Sequence, residues 1–219
     1  MTVEHSLRAR FAVATLGLMF AACAQWPLDA LPRPSAVGSI SGRIRPAANE
    51  DESSRETLVH LSAVDHSRAR TARSLESGMV EISIKDGRQR PEIVLVRPDE
   101  PLRFVNRDSV HHKLFTADRD NLFEVPLRAG ERSEPIRLRS EGFLRGFCRM
   151  HPDETFSLLV RAVDFVTRVD PEARFLFEDV PEGRYRIRAA SVHGETAALP
   201  VQVSRGRRSD LEIPLDPGS

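Results

Sequence analysis

Beyond residue 37 no stretch of this chain keeps a helical apolar period for more than two turns, and that pattern limits the fold more than any single motif does. Short segments instead alternate apolar and polar residues, and Pro, Gly and Asp break them at close intervals. The pattern predicts an all-β protein of about fourteen strands, running from 39–45 to 209–215. A β-sandwich of about 100 residues holds seven to nine strands, so this count implies two sandwiches.

Length agrees. After removal of an export segment, the 219 residues suffice for one large domain or two small ones. Basic and acidic side chains number 32 each, and no Lys/Arg block is dense enough to neutralise a run of phosphates, so no nucleic-acid partner is implied.

The N-terminus reads as a secretory signal over 1–24. Leu7-Arg8-Ala9-Arg10 is followed by an uncharged apolar run over 11–22, too short for the ~20 residues that a membrane-spanning helix needs. Phe20-Ala21-Ala22-Cys23 resembles the lipobox of bacterial lipoproteins, which would make Cys23 a lipid anchor and the sole membrane contact. Cleavage after Ala22-Cys23-Ala24 is the competing reading and leaves a soluble protein starting at Gln25. Both readings place the protein in the periplasm or envelope, with 25–37 as a linker. Once Cys23 is lipidated or removed, Cys148 has no thiol partner, and a lone cysteine in an oxidising compartment calls for a reason.

That reason lies in two separated motifs. Asn106 ends a strand, a turn follows, and His112 comes six positions later. Cys148 and His151 stand three apart at the end of another strand, followed by Pro152 and Glu154. A thiolate with two imidazoles is the donor set that selects copper, whereas a structural zinc site usually requires a fourth protein ligand and no second Cys/His pair is present. Adjacent residues of an extended segment face opposite sides, so only one of His111 and His112 can face the site, and the spacing from Asn106 selects His112. The remaining histidines, His60 among them, fit surface or core roles.

Over residues 77–163 these motifs resemble the cupredoxin family, most closely its amicyanin and plastocyanin branch, with Gly130 and Gly142 at turn positions. The resemblance implies a Greek-key β-sandwich, one copper ion, equatorial ligands His112, Cys148 and His151, and one-electron transfer. It also implies a transient redox protein partner docking near Phe143, Phe147, Met150 and Pro152. Three positions depart from the family, one being His111, which stands in the place of the family's Pro and is expected at the surface. Glu154 stands where the axial methionine is expected, and either contributes a carboxylate oxygen to the metal or points to solvent. Lys113 replaces the Asn after the first ligand, removing a side-chain hydrogen bond between the ligand loops.

Around the inserted part, residues 38–76 and 164–219 resemble the two halves of a carboxypeptidase regulatory-like (transthyretin-type) sandwich. The carrying motif is Phe175-Leu176-Phe177 with Val180-Pro181-Glu182-Gly183-Arg184-Tyr185, whose Pro and Gly suit a strand reversal. The expected fold is therefore a cupredoxin sandwich inserted in, or fused to, a second small sandwich. As a whole the chain resembles exported proteins described as methylamine-utilisation-like. No nucleophile triad, phosphate loop or paired-carboxylate signature is present, and no catalytic residue is expected. Copper handling or storage, and an envelope interaction module with a vestigial site, are the alternatives to electron transfer.

Overall fold

The computed structural model describes residues 36–45, 56–65 and 78–215, which contain seventeen strands and no helix. The export and anchor segment, Cys23 included, lies outside the described residues. Among the described residues no helix is long and apolar enough to cross a membrane.

Two strands, β1 (Val37–Arg45) and β2 (Leu58–Ala63), precede the inserted part. The insert holds β3 (Val80–Lys85), β4 (Arg88–Arg90), β5 (Ile93–Val96), β6 (Pro101–Asn106), β7 (His112–Thr116), β8 (Glu124–Leu127), β9 (Ile136–Arg137), β10 (Gly142–Cys148) and β11 (Thr155–Val160). Then follow β12 (Phe165–Arg168), β13 (Arg174–Pro181), β14 (Gly183–Ser191), β15 (Gly194–Glu195), β16 (Leu199–Val203) and β17 (Arg208–Pro214).

The insert folds as one sheet of order β4-β3-β6-β9 facing another of order β5-β11-β10-β7-β8. Pairing is parallel at β3/β6 and β5/β11 and antiparallel elsewhere, so the chain repeatedly crosses between the sheets in Greek-key fashion. Alternation explains the core. Ile82 and Ile84 of β3, Leu114 of β7, and Leu144 and Cys148 of β10 point inward, around Phe104 and Phe156. Gly146 sits under the Phe156 ring, where a Cβ would lie 1.8 Å from ring carbon, so no larger residue fits that position of β10.

Strands on either side of the insert pair with each other. One sheet has order β13-β1-β17 and the other β12-β2-β14-β15, with β16 also on β14. Their common core holds Ile40, Leu61, Phe177, Tyr185 and Ile187. The Pro-Gly segment does not reverse the strand into a hairpin as the sequence suggested. β13 and β14 belong to different sheets, and Gly183 is not among the residues with positive φ, whereas Asp179 is, at 54°. The segment is a corner between sheets, held by the Tyr185 hydroxyl donating to the Pro181 carbonyl at 2.9 Å.

The two sandwiches meet face to face. Ile93, Leu95, Leu159 and Phe143 on the outer side of the insert's five-stranded sheet pack against Leu58, Ala190 and Val166 of the second sandwich. β11 is therefore buried on both faces from Phe156 to Val160. Phe143 belongs to this seam, which corrects its expected place in a surface docking patch. A polar network closes one side of the seam: His60 Nε2 lies 2.7 Å from Glu195 Oε1, Glu195 pairs with Arg161, and Arg161 reaches Glu141 at 3.1 Å.

Candidate metal centre

The site forms where two neighbouring strands deliver their ends to one place. His112 opens β7 and Cys148 closes β10, with Cys148 paired to Leu114. Asn106, fully buried, shapes the approach to His112. Its amide donates to the Val110 and Arg128 carbonyls at 2.8 and 2.9 Å, and its oxygen accepts from the Asp108 N–H at 2.8 Å. After Cys148 the chain closes a tight loop, with Glu154 N–H donating to His151 C=O at 3.0 Å and Cys148 N–H to Glu154 C=O at 3.1 Å. That loop turns His151 and Glu154 back toward the thiol.

Donor atoms of His112, Cys148, His151 and Glu154 all lie within 4.8 Å of one another. Cys148 Sγ is 3.9 Å from His112 Nδ1 and 3.6 Å from His151 Nδ1. Glu154 Oε2 is 2.8 Å from His112 Nδ1 and 3.1 Å from His151 Nδ1. Glu154 thus faces the cluster rather than solvent. Met150, by contrast, is 53% exposed and directed away. His111 is exposed and His112 buried, on the sides that strand alternation assigns them.

Lys113 sends its ammonium outward to Glu124, at 2.7 Å. The two strands are tied through backbone instead, with Arg149 N–H donating to Lys113 C=O at 2.8 Å and Lys113 N–H approaching Cys148 Sγ at 3.5 Å. The latter contact is a long, weak hydrogen bond to sulfur. Of the two expected turn glycines, Gly130 has a positive φ of 73°, while Gly142 simply starts β10.

One residue that sequence reasoning passed over completes the site. Asp108 Oδ2 lies 3.0 Å from His112 Nε2, and the same carboxylate accepts the backbone N–H groups of Asp86 at 2.6 Å and Gly87 at 3.1 Å. Burial opposes its ionisation, but those two N–H groups and the His112 ring outweigh burial and hold the carboxyl below its ordinary value. Asp86 and Gly87, with φ of 53° and 68°, form the two-residue turn between β3 and β4. The Asp-Gly pair is the strongest short hairpin signal a sequence carries, and it could have located this turn.

The donor chemistry fits a transition metal ion. If the His112 Nε2–H goes to Asp108, its Nδ1 presents a lone pair to the cluster. A nitrogen lone pair and a carboxylate oxygen at 2.8 Å repel unless a proton or cation stands between them. Sulfur and imidazole donors suit copper and zinc, and among the described residues no Lys or Arg contacts Asp108 or Glu154 to offset their charge. Fold and donors together define a two-sheet β-sandwich carrying a His-Cys-His-Glu cluster.

No family model matches the chain, and no curated protein does so either. Similar solved structures include a purple cupredoxin from Nitrosopumilus maritimus, 22% identical over 37% of this chain and 99% of that one, at a TM-score of 0.33. A copper-containing nitrite reductase from Thermus scotoductus SA-01 is 21% identical, with a TM-score of 0.36 over 42% of this chain and 24% of its own. An oxidised amicyanin variant is 14% identical, with a TM-score of 0.35 over 41% of this chain and 89% of its own. Each likeness covers less than half of this chain.

Proposed function

We propose that the chain is an exported copper protein that holds one ion among His112, Cys148, His151 and Glu154 and passes single electrons to a transient redox partner in the periplasm or envelope. The observation that carries this reading is the convergence of four donor atoms within 4.8 Å at the end of a rigid two-sheet core. Copper, when bound, supplies the one-electron change. The chain's residues do the rest. Cys148 and His112 are buried and fixed by strand pairing, so the donors are shielded from water and need little rearrangement. The His151 side chain is 34% exposed, and its chain neighbours Met150 and Pro152 are exposed as well. Transient redox docking needs only a small patch of this kind. The second sandwich, resembling a regulatory-like module, serves as a non-catalytic support, and Cys23 as lipid anchor would be the membrane contact. No catalytic role is assigned to any residue.

One equivalent of Cu(II) added to the mature protein is expected to give an intense thiolate-to-copper absorption band that bleaches reversibly on reduction and disappears in Cys148→Ser. EPR hyperfine splitting would report whether the Glu154 oxygen coordinates. A featureless spectrum identical in the variant overturns the reading. So does preferential binding of zinc in direct competition, because Glu154 gives that ion the fourth donor it requires.

A copper-holding role has one observation in its favour, the inward-facing Glu154 carboxylate, a hard donor that favours the oxidised ion. Transfer of bound copper to a chelator within minutes, with a potential outside the range of periplasmic donors, would select holding over electron transfer.

A further inference from the structure

The copper reading leaves Asp108 without a role, although it is the most heavily engaged carboxylate near the cluster. It accepts three donors: the His112 ring at 3.0 Å, Asp86 N–H at 2.6 Å and Gly87 N–H at 3.1 Å. His112 has no exposed side-chain surface, so neither ring nitrogen can turn to water for a partner. The choice of tautomer therefore falls to the two carboxylates flanking the ring, Asp108 at Nε2 and Glu154 at Nδ1. Asp108 is already held by two backbone donors, so it stays an acceptor and cannot return a proton to the ring.

The same carboxylate reaches Glu154 by a second route. By accepting both N–H groups of the Asp86-Gly87 turn, Asp108 pins that turn, and Gly87 lies directly against Glu154. A Cβ at position 87 would stand 2.7 Å from Glu154 Oε1. Gly87 is favoured here by its φ of 68°, and its bare Cα leaves room for the Glu154 carboxylate beside it. With one carboxylate oxygen stopped by the turn, the other is left facing the two Nδ1 atoms.

We infer that Asp108 is the positioning residue of this site: it keeps the proton on His112 Nε2, commits Nδ1 to the metal, and holds the turn that aims Glu154, weighting the preformed site toward the divalent ion. The inference rests on the copper reading for its metal but not for its proton. Asp108 adds a negative charge on the far side of the His112 ring from the Nδ1 that faces Cys148 and Glu154. A charge in that place stabilises Cu(II) more than Cu(I), because the attraction scales with the charge of the ion.

Three measurements test it. In 15N-labelled protein, long-range ring correlations should find His112 protonated at Nε2 both without metal and with Cu(I) bound. A deprotonated Nε2 in either state overturns the inference without any variant being made. In Asp108→Ala, Cu(II) binding should weaken by about 10–100-fold. The Cu(II)-to-Cu(I) affinity ratio should fall about tenfold, raising the potential by about 59 mV for a one-electron couple. Asp108→Asn, whose carbonyl can still accept from the turn, should raise the potential with a smaller loss of affinity, and it stands in if the Ala variant does not fold. A residue that merely braced the turn would weaken both oxidation states alike and leave the potential unchanged, and that result overturns the inference. Absence of the Cys148-dependent band in the wild-type protein would instead remove the copper reading, while the metal-free ring correlation would still report on Asp108.

Discussion

Two buried histidines in this molecule, His112 in the insert and His60 in the second sandwich, have nearly the same immediate surroundings but opposite charge balance. Each has no exposed side-chain surface, and each has a carboxylate within 3.0 Å of Nε2. Around His60 the charges close on themselves. Glu195 lies between the imidazole and the Arg161 guanidinium, and Arg161 in turn meets Glu141. Around His112 two carboxylates, a thiol and a second imidazole converge without any cationic side chain among the described residues. A buried histidine beside a carboxylate is thus uninformative by itself. What separates a structural role from a ligand role is whether the surrounding lone pairs are balanced by positive groups of the protein.

The largest expected effect sets the two rings apart directly. His112→Ala should abolish the thiolate-to-copper absorption band, whereas His60→Ala should leave it in place and lower the midpoint of thermal unfolding. Loss of the band in both variants would end the distinction. Next in size, Glu195→Gln leaves Arg161 and His60 facing each other at the seam and should lower the unfolding free energy by about 3–5 kcal/mol in a denaturant titration.

That difference should also depend on pH. Burial opposes ionisation of Glu195, but the His60 hydrogen bond and the Arg161 charge outweigh it and depress its folded-state value. A depressed carboxyl contributes fully above its unfolded-state value and loses its contribution as pH falls through the folded one. The gap between wild type and Glu195→Gln should therefore shrink as the solution is acidified below the ordinary carboxylate range, and a gap independent of pH would contradict the pairing.

A smaller effect tests whether the sandwiches share one stability. Ile93→Val, at the apolar seam, should cost about 0.5–1.5 kcal/mol and shift a single unfolding transition without splitting it. Two separate transitions would mean that the seam does not couple them. Smallest of all, Lys113→Ala should change neither the copper spectrum nor the melting midpoint measurably, because its ammonium meets Glu124 on the outer face of the sheet.

The pattern of apolar alternation was enough to read the strand-rich fold, and the spacing of Asn106, His112, Cys148 and His151 pointed to the cluster because loop lengths between adjacent strand ends are short and stereotyped. Glu154 was visible by its position, but its direction was not, since the turn that stops it comes from β3 and β4, more than sixty residues earlier. Asp108 was passed over for the same reason, since the turn it holds also lies between β3 and β4. The seam was still harder to foresee. His60 and Glu195 are 135 residues apart, and no spacing rule links them. Phe143 alternates correctly to the outer face of β10, but sequence alone does not say that another sandwich covers that face. The Pro181–Gly183 segment has hairpin chemistry, and only the competing partnership of β13 with β1 makes it a corner.

The doubly covered sheet has a bearing on how such a chain can be inherited. A gene segment cut at the borders of the insert would encode a sheet with Ile93, Leu95, Phe143 and Leu159 open to water, the sort of contiguous apolar patch that solitary soluble domains avoid. The insert is thus no free cassette for recombination to lift out and splice elsewhere. Exchanging it between lineages would require either carrying the enclosing strands along or repainting one face of β5, β10 and β11 with polar residues first.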